Sequence, residues 1–536
     1  MTGPRDSLTG TGHLIRLALR RDRVKLPIWV LAIGLGMQYA VSALGTVYST
    51  PQERQVRAEL MESPAATMMS GPGYGLNDYT LGAMISNEMV LWLAIPAAMM
   101  SIFLVIRHTR SEEETGRAEL VRSAVVGRHA APVAALVLAV AANAGIALLT
   151  ALALIGGDLA AADAFAVGLG LGLTGLVFAG VATVTAQLTE HARSASSMAM
   201  AVLGAAFLVR AIGDAAGPGG SLLSWFSPLA WVQQQRPFVD LRWWPLLLPL
   251  VLVAAMTALA YALSARRDVG AGLLRARLGR PTAPRSLSSP FGLAVRQQRT
   301  SVIGWAIGLL VFAVPTGSLS DSVTEAALEN PDMAEVFTAN GQEPTDGFYA
   351  TMAMFFALLI AAFAVTSVLR LRSEERTGHA EAALATAVSR RQWVSAWLGV
   401  TVLSSVVLLV VSGLGVGLGA LSGDAPTGVV GEVLLATLAF FPPVLVVVGL
   451  AAALFGLRAG LAMWAWALVG YAFLFGMFGA LLDLPAVFTE LSPFSHLTVM
   501  PLDRIGALPL VTLSAVAAVL VLAGGLLFRR RDLDLR

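Results

Sequence analysis

The sequence predicts an all-α polytopic membrane protein. Of its 536 residues, 56% are hydrophobic and only 13% are charged, whereas soluble proteins carry about 25% charged residues. Apolar runs of about 20 residues, the length of a helix that crosses the hydrocarbon core, recur along the chain. Spans this apolar must be helical because the bilayer core offers no hydrogen-bond partner to an open backbone.

Twelve apolar runs are long enough to be spans, six in each half. In the first half they lie at 26–47, 84–106, 130–155, 164–187, 195–213 and 243–264. In the second half they lie at 302–320, 350–371, 393–421, 429–455, 459–482 and 507–528. We therefore divide the chain into three parts, a first half (1–264), a cytoplasmic linker rich in Arg and Pro (265–289) and a second half (290–536).

Positive charge predicts how the spans are oriented. With both termini inside, the inner segments contain 30 of the 36 Lys and Arg residues, as the positive-inside rule requires. Six spans per half is an even number, so the halves share one orientation and form a parallel repeat.

Basic, amphipathic stretches precede the first span of each half. HLIRLALRRDRVKLPIW ends at Trp29, and FGLAVRQQRTSVIGW ends at Trp305. We interpret both as helices on the inner membrane surface, with ordinary basic flanks as the alternative. The outer segment LLSWFSPLAWV, residues 222–232, either dips into the outer leaflet or forms a plain surface loop.

Motifs for catalysis and ion coupling are missing from the sequence. The only lysine is Lys25, preceded by Val24, so the chain cannot form the Gly-Lys-Ser/Thr phosphate loop of an ATPase. The chain has no cysteine, its histidines do not cluster, and we expect no metal site, no catalytic residue and no cofactor. Glu88, one turn into the second span, is either a proton-binding group or, as we favour, a hydrated carboxylate at the outer edge.

One charged segment occurs twice. RSEEETGRAE at Arg110–Glu119 recurs as RSEERTGHAE at Arg372–Glu381, with eight of ten residues identical and an offset of 262. Each copy directly follows the second span of its half, where Thr-Gly permits a turn. A short helix after the turn would lie across the membrane surface with carboxylates near its start. We expect each copy to dock on a partner with basic residues; a solvated turn is the alternative.

The pattern Glu-x-x-Gly-x-x-Glu, followed by a small or apolar run and Arg, resembles the cytoplasmic coupling segment of ABC-2 type exporter permeases. It is carried by Glu113, Gly116, Glu119 and Arg128 in the first copy and by Glu375, Gly378, Glu381 and Arg390 in the second. The proline that often precedes the last residues in that family is replaced by Val125 and Ala387. The whole chain is similar to fused, two-half permeases of actinobacteria that export polyketide antibiotics and other drugs.

This resemblance implies a permease of an ATP-driven exporter in the bacterial plasma membrane, with both termini cytoplasmic. It would move hydrophobic or amphiphilic small molecules, such as drugs, antibiotics or lipids, out of the cell. ATP and Mg²⁺ would bind a separate ATP-binding cassette subunit in two copies, and no nucleic-acid partner is expected. The residues coupled to that subunit would be Glu112, Glu113, Glu114, Thr115, Gly116, Arg117, Glu119, Glu374, Glu375, Arg376, Thr377, Gly378, His379 and Glu381.

The resemblance also implies a substrate pathway lined by the second and fifth spans of each half. Met and aromatic side chains on these spans would form an adaptable apolar surface: Met84, Trp92, Met99, Met100, Phe207, Met352, Phe355, Phe356, Trp464, Tyr471 and Phe473. A major-facilitator-like secondary transporter is the alternative. Its signature between spans two and three is rich in Arg and built on one Asp, whereas this chain has an acidic segment there.

Overall fold

The computed structural model describes residues 6–217, 219–268, 270–274, 281–329, 343–423, 425–478, 490–497, 499–500 and 505–532. The chain divides into two compact units, Met1–Leu278 and Gly279–Arg536, and this boundary falls inside the predicted linker. Within the described ranges, twelve helices are long and apolar enough to cross a membrane, six in each unit. This finding confirms the predicted all-α polytopic class.

The first unit is built from long apolar helices joined by short ones. Its α-helices are α1 (Thr11–Arg21), α2 (Lys25–Val47), α3 (Pro51–Met61), α4 (Pro64–Ser70), α5 (Leu81–Glu88), α6 (Val90–His108), α7 (Arg110–Glu114), α8 (Arg117–Arg122), α9 (Ala130–Gly156), α10 (Ala161–Leu188), α11 (Ala192–Ala215) and α12 (Leu247–Ser264). Short 3₁₀ turns lie at Asp6–Leu8, Leu76–Asp78, Leu222–Phe226 and Trp244–Leu246.

The described residues of the second unit follow a similar order of helices. It contains α13 (Pro290–Ser318), α14 (Ser320–Glu329), α15 (Pro344–Arg376), α16 (His379–Leu384), α17 (Arg390–Ala420), α18 (Val429–Ala439), α19 (Phe441–Leu457), α20 (Ala465–Phe478) and α21 (Ala507–Arg530). Its 3₁₀ turns lie at Arg285–Leu287 and Ala459–Trp464. The predicted eleventh span reached residue 482, and its part beyond residue 478 lies outside the described residues.

Only one of the two predicted surface helices is a separate element. In the first unit α1 ends before Asp22, whose buried carboxylate binds Arg107 and His108, so the chain turns there before α2 begins. In the second unit the same prediction is wrong, because α13 runs without a break from Pro290. Its Gln298 is 1% exposed and accepts a hydrogen bond from Ser367, which keeps this stretch helical inside the bundle. The position of α1 on a membrane surface stays a prediction.

Close helix packing in both units depends on glycine. A Cβ on Gly168 of α10 would lie 2.3 Å from the carbonyl oxygen of Ala147 on α9. A Cβ on Gly317 of α13 would lie 1.9 Å from the carbonyl oxygen of Val416 on α17. Small residues let helix backbones approach this closely, which is how membrane helices gain packing energy without a hydrophobic driving force.

The segment after α11 enters the bundle of the first unit. Leu229 is fully buried, and a Cβ on Gly170 of α10 would lie 2.5 Å from Val232 Cγ2 and 2.4 Å from Gln235 Nε2. The alternative of a plain surface loop at 222–232 is therefore wrong for its second part. That the segment enters a leaflet of the membrane stays a prediction.

Candidate functional site

The duplicated string lies in two segments of similar local structure, here called the first repeated segment (residues 110–128) and the second repeated segment (residues 372–390). In each, a helix ends at Thr-Gly, and a six-residue helix, α8 or α16, follows. Gly116 and Gly378 have φ values of +73° and +77°. Glycine adopts this left-handed region without steric cost, whereas most other residues would be strained there. The predicted turn and the short helix after it are confirmed, and in the first copy that helix ends at Arg122.

The central glutamate of each string forms an ion pair with an arginine of its own unit, and it is half-buried in the first copy and buried in the second. In the first repeated segment, both oxygens of Glu113 accept hydrogen bonds of 2.8 Å from Arg267, which follows α12. In the second, both oxygens of Glu375 accept bonds of 2.6 and 2.7 Å from Arg531, which follows α21. Bidentate Arg–carboxylate pairs of this kind fix geometry as well as charge.

A second attachment joins the far end of each repeated segment to the same arginine. Arg128 donates to the carbonyl oxygens of Ser264 and Arg267. Its counterpart Arg390 donates to the carbonyl of Arg531 at 2.6 Å and more weakly to that of Phe528. The last carbonyls of a helix lack partners within it, so each arginine caps the C-terminal end of the sixth span of its unit.

The carboxylates next to the central glutamates also have partners within their own unit. Glu112 accepts a hydrogen bond of 2.8 Å from Arg21 of α1. Glu114 accepts one of 2.9 Å from the backbone nitrogen of Ala192, at the start of α11. Glu374 lies 3.4 Å from His379. Most of the carboxylates at which a partner was expected to dock are thus engaged in contacts within their own unit.

The turn and the start of the short helix are the exposed part of each repeated segment. We call this part the tip: in the first copy Glu114, Thr115, Arg117, Glu119 and Leu120, and in the second Arg376, Thr377, His379, Glu381 and Ala382. Both positions at which the strings differ, 114/376 and 117/379, belong to the tips. Leu120 and Val125 are 76% and 86% exposed, unusual values for apolar side chains beside a charged turn.

The predicted pathway residues have very different surroundings within their units. Met84, Met100 and Phe356 are at most 2% exposed and belong to the packed cores. Trp464 and Phe473 are 65% and 41% exposed. The others are half-buried: Trp92, Met99, Phe207, Met352, Phe355 and Tyr471. A lining role therefore stays a prediction, and the half-buried and exposed members fit it best.

Comparison with known proteins gives the family. The model of the family described as the multidrug efflux system permease Rv1217c, C-terminal domain, matches residues 12–263 and 287–529. The multidrug efflux system permease protein Rv1217c of Mycobacterium tuberculosis is 40% identical over 535 residues, which cover 98% of this chain and 95% of that protein. This chain belongs to the Rv1217c permease family.

A buried polar cluster in this Rv1217c-family chain was missed by the sequence analysis. It lies in the first unit on the side opposite the repeated segment, at the other end of α6. Glu88, only 4% exposed, binds Arg57 at 2.7 Å and accepts a hydrogen bond of 3.2 Å from Tyr79. The favoured interpretation of Glu88 as a hydrated carboxylate is therefore wrong, because α3 and the 3₁₀ turn before α5 cover it.

Charge holds this cluster together. Burial alone would lower the pKa of Arg57, but the charge of Glu88 outweighs it and raises the pKa above its ordinary value. Burial and the same carboxylate raise the pKa of Tyr79, so its hydroxyl remains a donor. On α11, a second buried pair joins Arg210 to Asp214 at 2.9 Å, and Arg210 also donates to a backbone carbonyl of α4. Both pairs link the segment between the first two spans to the bundle.

We expect Glu88→Ala to destabilise the protein by about 2 kcal/mol, because it leaves the half-buried Arg57 charge without its charged hydrogen bonds. Thermal unfolding of the purified protein in detergent measures the effect. Asp240→Ala is the matched control, since the Asp240–Arg242 pair is 62% and 38% exposed and such pairs contribute at most about 1 kcal/mol. Adding Arg57→Ala to Glu88→Ala should recover part of the loss; equal melting of Glu88→Ala and Asp240→Ala would contradict the prediction.

Proposed function

We propose that this chain is the membrane permease of an ATP-driven exporter of hydrophobic or amphiphilic small molecules, and that a separate ATP-binding cassette protein supplies the ATP hydrolysis. The relative's description as a multidrug efflux permease supports export of such cargo. The absence of any lysine except Lys25 supports a separate ATPase, because a phosphate-binding loop of the Walker A type needs a lysine. ATP and Mg²⁺ would bind that partner.

The observation that carries the proposal is the pair of repeated segments. Two tips of related sequence offer two related docking points, because each is exposed and each adjoins an ion pair that attaches its segment to its own unit. Two copies of one ATPase subunit are the simplest partner for them. This arrangement implies that the halves are parallel repeats, and that both repeated segments and both termini lie in the cytoplasm, as the charge distribution favours.

The surface available for docking combines acidic and apolar side chains, whereas the string alone indicates an acidic one. Exposed Glu119 and Glu381 occupy the same position in the two tips, and Leu120 adds apolar area beside the first. We expect the partner to offer a groove with basic residues at its rim and an apolar floor, since rim charges orient binding and buried apolar contacts hold it. The tips differ in charge at 114/376, so the two copies would dock unequally.

The test is reconstitution of the full chain with the ATP-binding cassette protein that copurifies with it. We expect no ATP hydrolysis by the chain alone, and ATP-dependent accumulation of a fluorescent hydrophobic dye in inside-out vesicles that contain both proteins. ATP turnover by the purified chain alone, or dye transport driven by a proton gradient without ATP, would contradict the proposal and favour the secondary transporter.

We further expect the double variant Glu119→Arg/Glu381→Arg to bind the ATPase about tenfold more weakly, or about 1.4 kcal/mol, because it repels basic residues at the rim of the groove. Both side chains are exposed, so the melting temperature should not change. Glu59→Arg is the matched control, since Glu59 is equally exposed on α3, on the opposite side of the first unit. Biolayer interferometry measures the affinity for the ATPase. Equal affinity of the original protein, the double variant and the control would show that the tips are not part of the interface.

A further inference from the structure

The repeated segments are attached to the sixth span of their own unit at both ends. Near the start of each segment, the central glutamate binds the arginine that follows the sixth span. At the end of each segment, Arg128 or Arg390 caps the carbonyls at the same helix end. The two attachments lie on either side of the tip. We call these two attachments together the bracket: Glu113, Arg128 and Arg267 in the first unit, and Glu375, Arg390 and Arg531 in the second.

The same three residues form the bracket in each unit. Glu113 and Arg128 correspond to Glu375 and Arg390 with the offset of 262 that relates the two strings. Arg267 corresponds to Arg531 with an offset of 264, and each stands second in the triplet that ends Arg-Asp after the sixth span. All three residues therefore recur, with the same contacts, in a second, separately packed unit.

The arginines of the bracket are held more firmly than surface arginines. Arg267 also donates to Gln187 Oε1 and to the carbonyl of Ala271, so its guanidinium is fixed by several groups. Arg531 lies 4.9 Å from the ring centre of Phe455 and 5.0 Å from that of Phe528, in the range of cation–π contacts. Side chains immobilised in this way transmit displacement, because a packed interior does not deform continuously.

We propose that Arg267 and Arg531 are positioning residues for energy coupling, each of which carries movement of its repeated segment to the sixth span of its unit. The inference rests on the proposed function, in which an ATPase moves the tips. The tip binds the partner, and the bracket converts that binding into displacement of α12 or α21. Removing the contacts of the bracket would therefore leave the partner bound, but ATP hydrolysis would no longer drive export.

Cysteine pairs test this directly, because the chain has no cysteine of its own. Glu375→Cys/Arg531→Cys removes the ion pair, and a short bifunctional methanethiosulfonate restores the connection covalently and reversibly. We expect the unlinked variant to bind the ATPase normally but to lose at least about tenfold of its ATP-driven dye export. Linking should restore export, and a reducing agent should abolish it again. Glu113→Cys/Arg267→Cys should behave in the same way.

The double variant treated with a monofunctional methanethiosulfonate, which modifies both cysteines without joining them, is the control, and it should not recover. Arg390→Met provides a second route that leaves the buried ion pair intact; we expect partial uncoupling, with Arg390→Lys closer to the original protein. Full export by the unlinked double variant, or export blocked by the link, would overturn the inference. Failure of the original protein to export the dye would instead contradict the proposed function, so the two failures are distinguishable.

Discussion

Glu375→Ala is expected to destabilise the second unit by about 3–5 kcal/mol, the cost of leaving one partner of a buried ion pair uncompensated. Glu375 is fully buried, and the side chain of Arg531 is 12% exposed. Without the carboxylate, the guanidinium retains the rings of Phe455 and Phe528 as neighbours, and these do not replace two charged hydrogen bonds. The measurement is the melting temperature of the purified protein, read by tryptophan fluorescence.

Glu374→Ala is the matched control, one residue away on the same helix. Its carboxylate is 20% exposed and faces a histidine that is 67% exposed, so we expect a change within about 1 kcal/mol. A charge reversal at both positions would confuse loss of folding with loss of docking. Equal melting of the two single variants would show that the Glu375–Arg531 pair contributes little to stability.

The sequence was sufficient for elements whose signal is local. Apolar runs predicted the spans, and the Thr-Gly pairs predicted turns in which Gly116 and Gly378 take positive φ. It also marked Arg128 and Arg390 as the ends of the repeated pattern, although their role as helix caps depends on the fold. Docking of the tips and the lining of a pathway stay predictions.

What the sequence did not predict depends on partners distant along the chain. Glu113 and Arg267 are 154 residues apart, so no window around the string contains the group that neutralises it. A signal was present: Arg-Arg-Asp follows the sixth span of each half, at 266–268 and 530–532. The prediction for Glu88 was wrong for a similar reason, because its burial depends on Arg57 of α3 and on Tyr79, which precede the span.

The sequence did not predict that the seventh span continues into the basic stretch before it. Basic residues before an apolar run look the same whether they form a separate helix or the first turns of the span. In the first unit, the buried side chain of Asp22 fixes the turn between α1 and α2 by pairing with the end of α6. The corresponding stretch of α13 instead buries the uncharged Gln298 against Ser367, which demands no turn. The two units therefore differ at this place both in helix continuity and in the charge of the buried residue.

Gly317→Val is expected to destabilise the second unit by about 3 kcal/mol, the upper end of the usual cost of overpacking, because a clash with a rigid backbone cannot be relieved by a rotamer change. The new Cβ would lie 1.9 Å from the carbonyl oxygen of Val416, and α17 would have to move away along the whole contact. A Cβ on Gly419 of α17 would in turn lie 2.0 Å from the carbonyl oxygen of Val314 on α13, so Gly419→Val should act similarly. Detergent-solubilised protein should elute as aggregate in fluorescence-detected gel filtration.

Gly308→Val on the same helix separates this steric effect from any general effect of valine. A Cβ at Gly308 would meet no atom within 4 Å, so we expect a single symmetric peak and a change within about 1 kcal/mol. The pair also tests how the second unit is held together, since glycine contacts bring α13 and α17 close enough for backbone atoms to touch. If Gly317→Val melted like Gly308→Val, the two helices could separate freely, and close packing at Gly317 would not stabilise the unit.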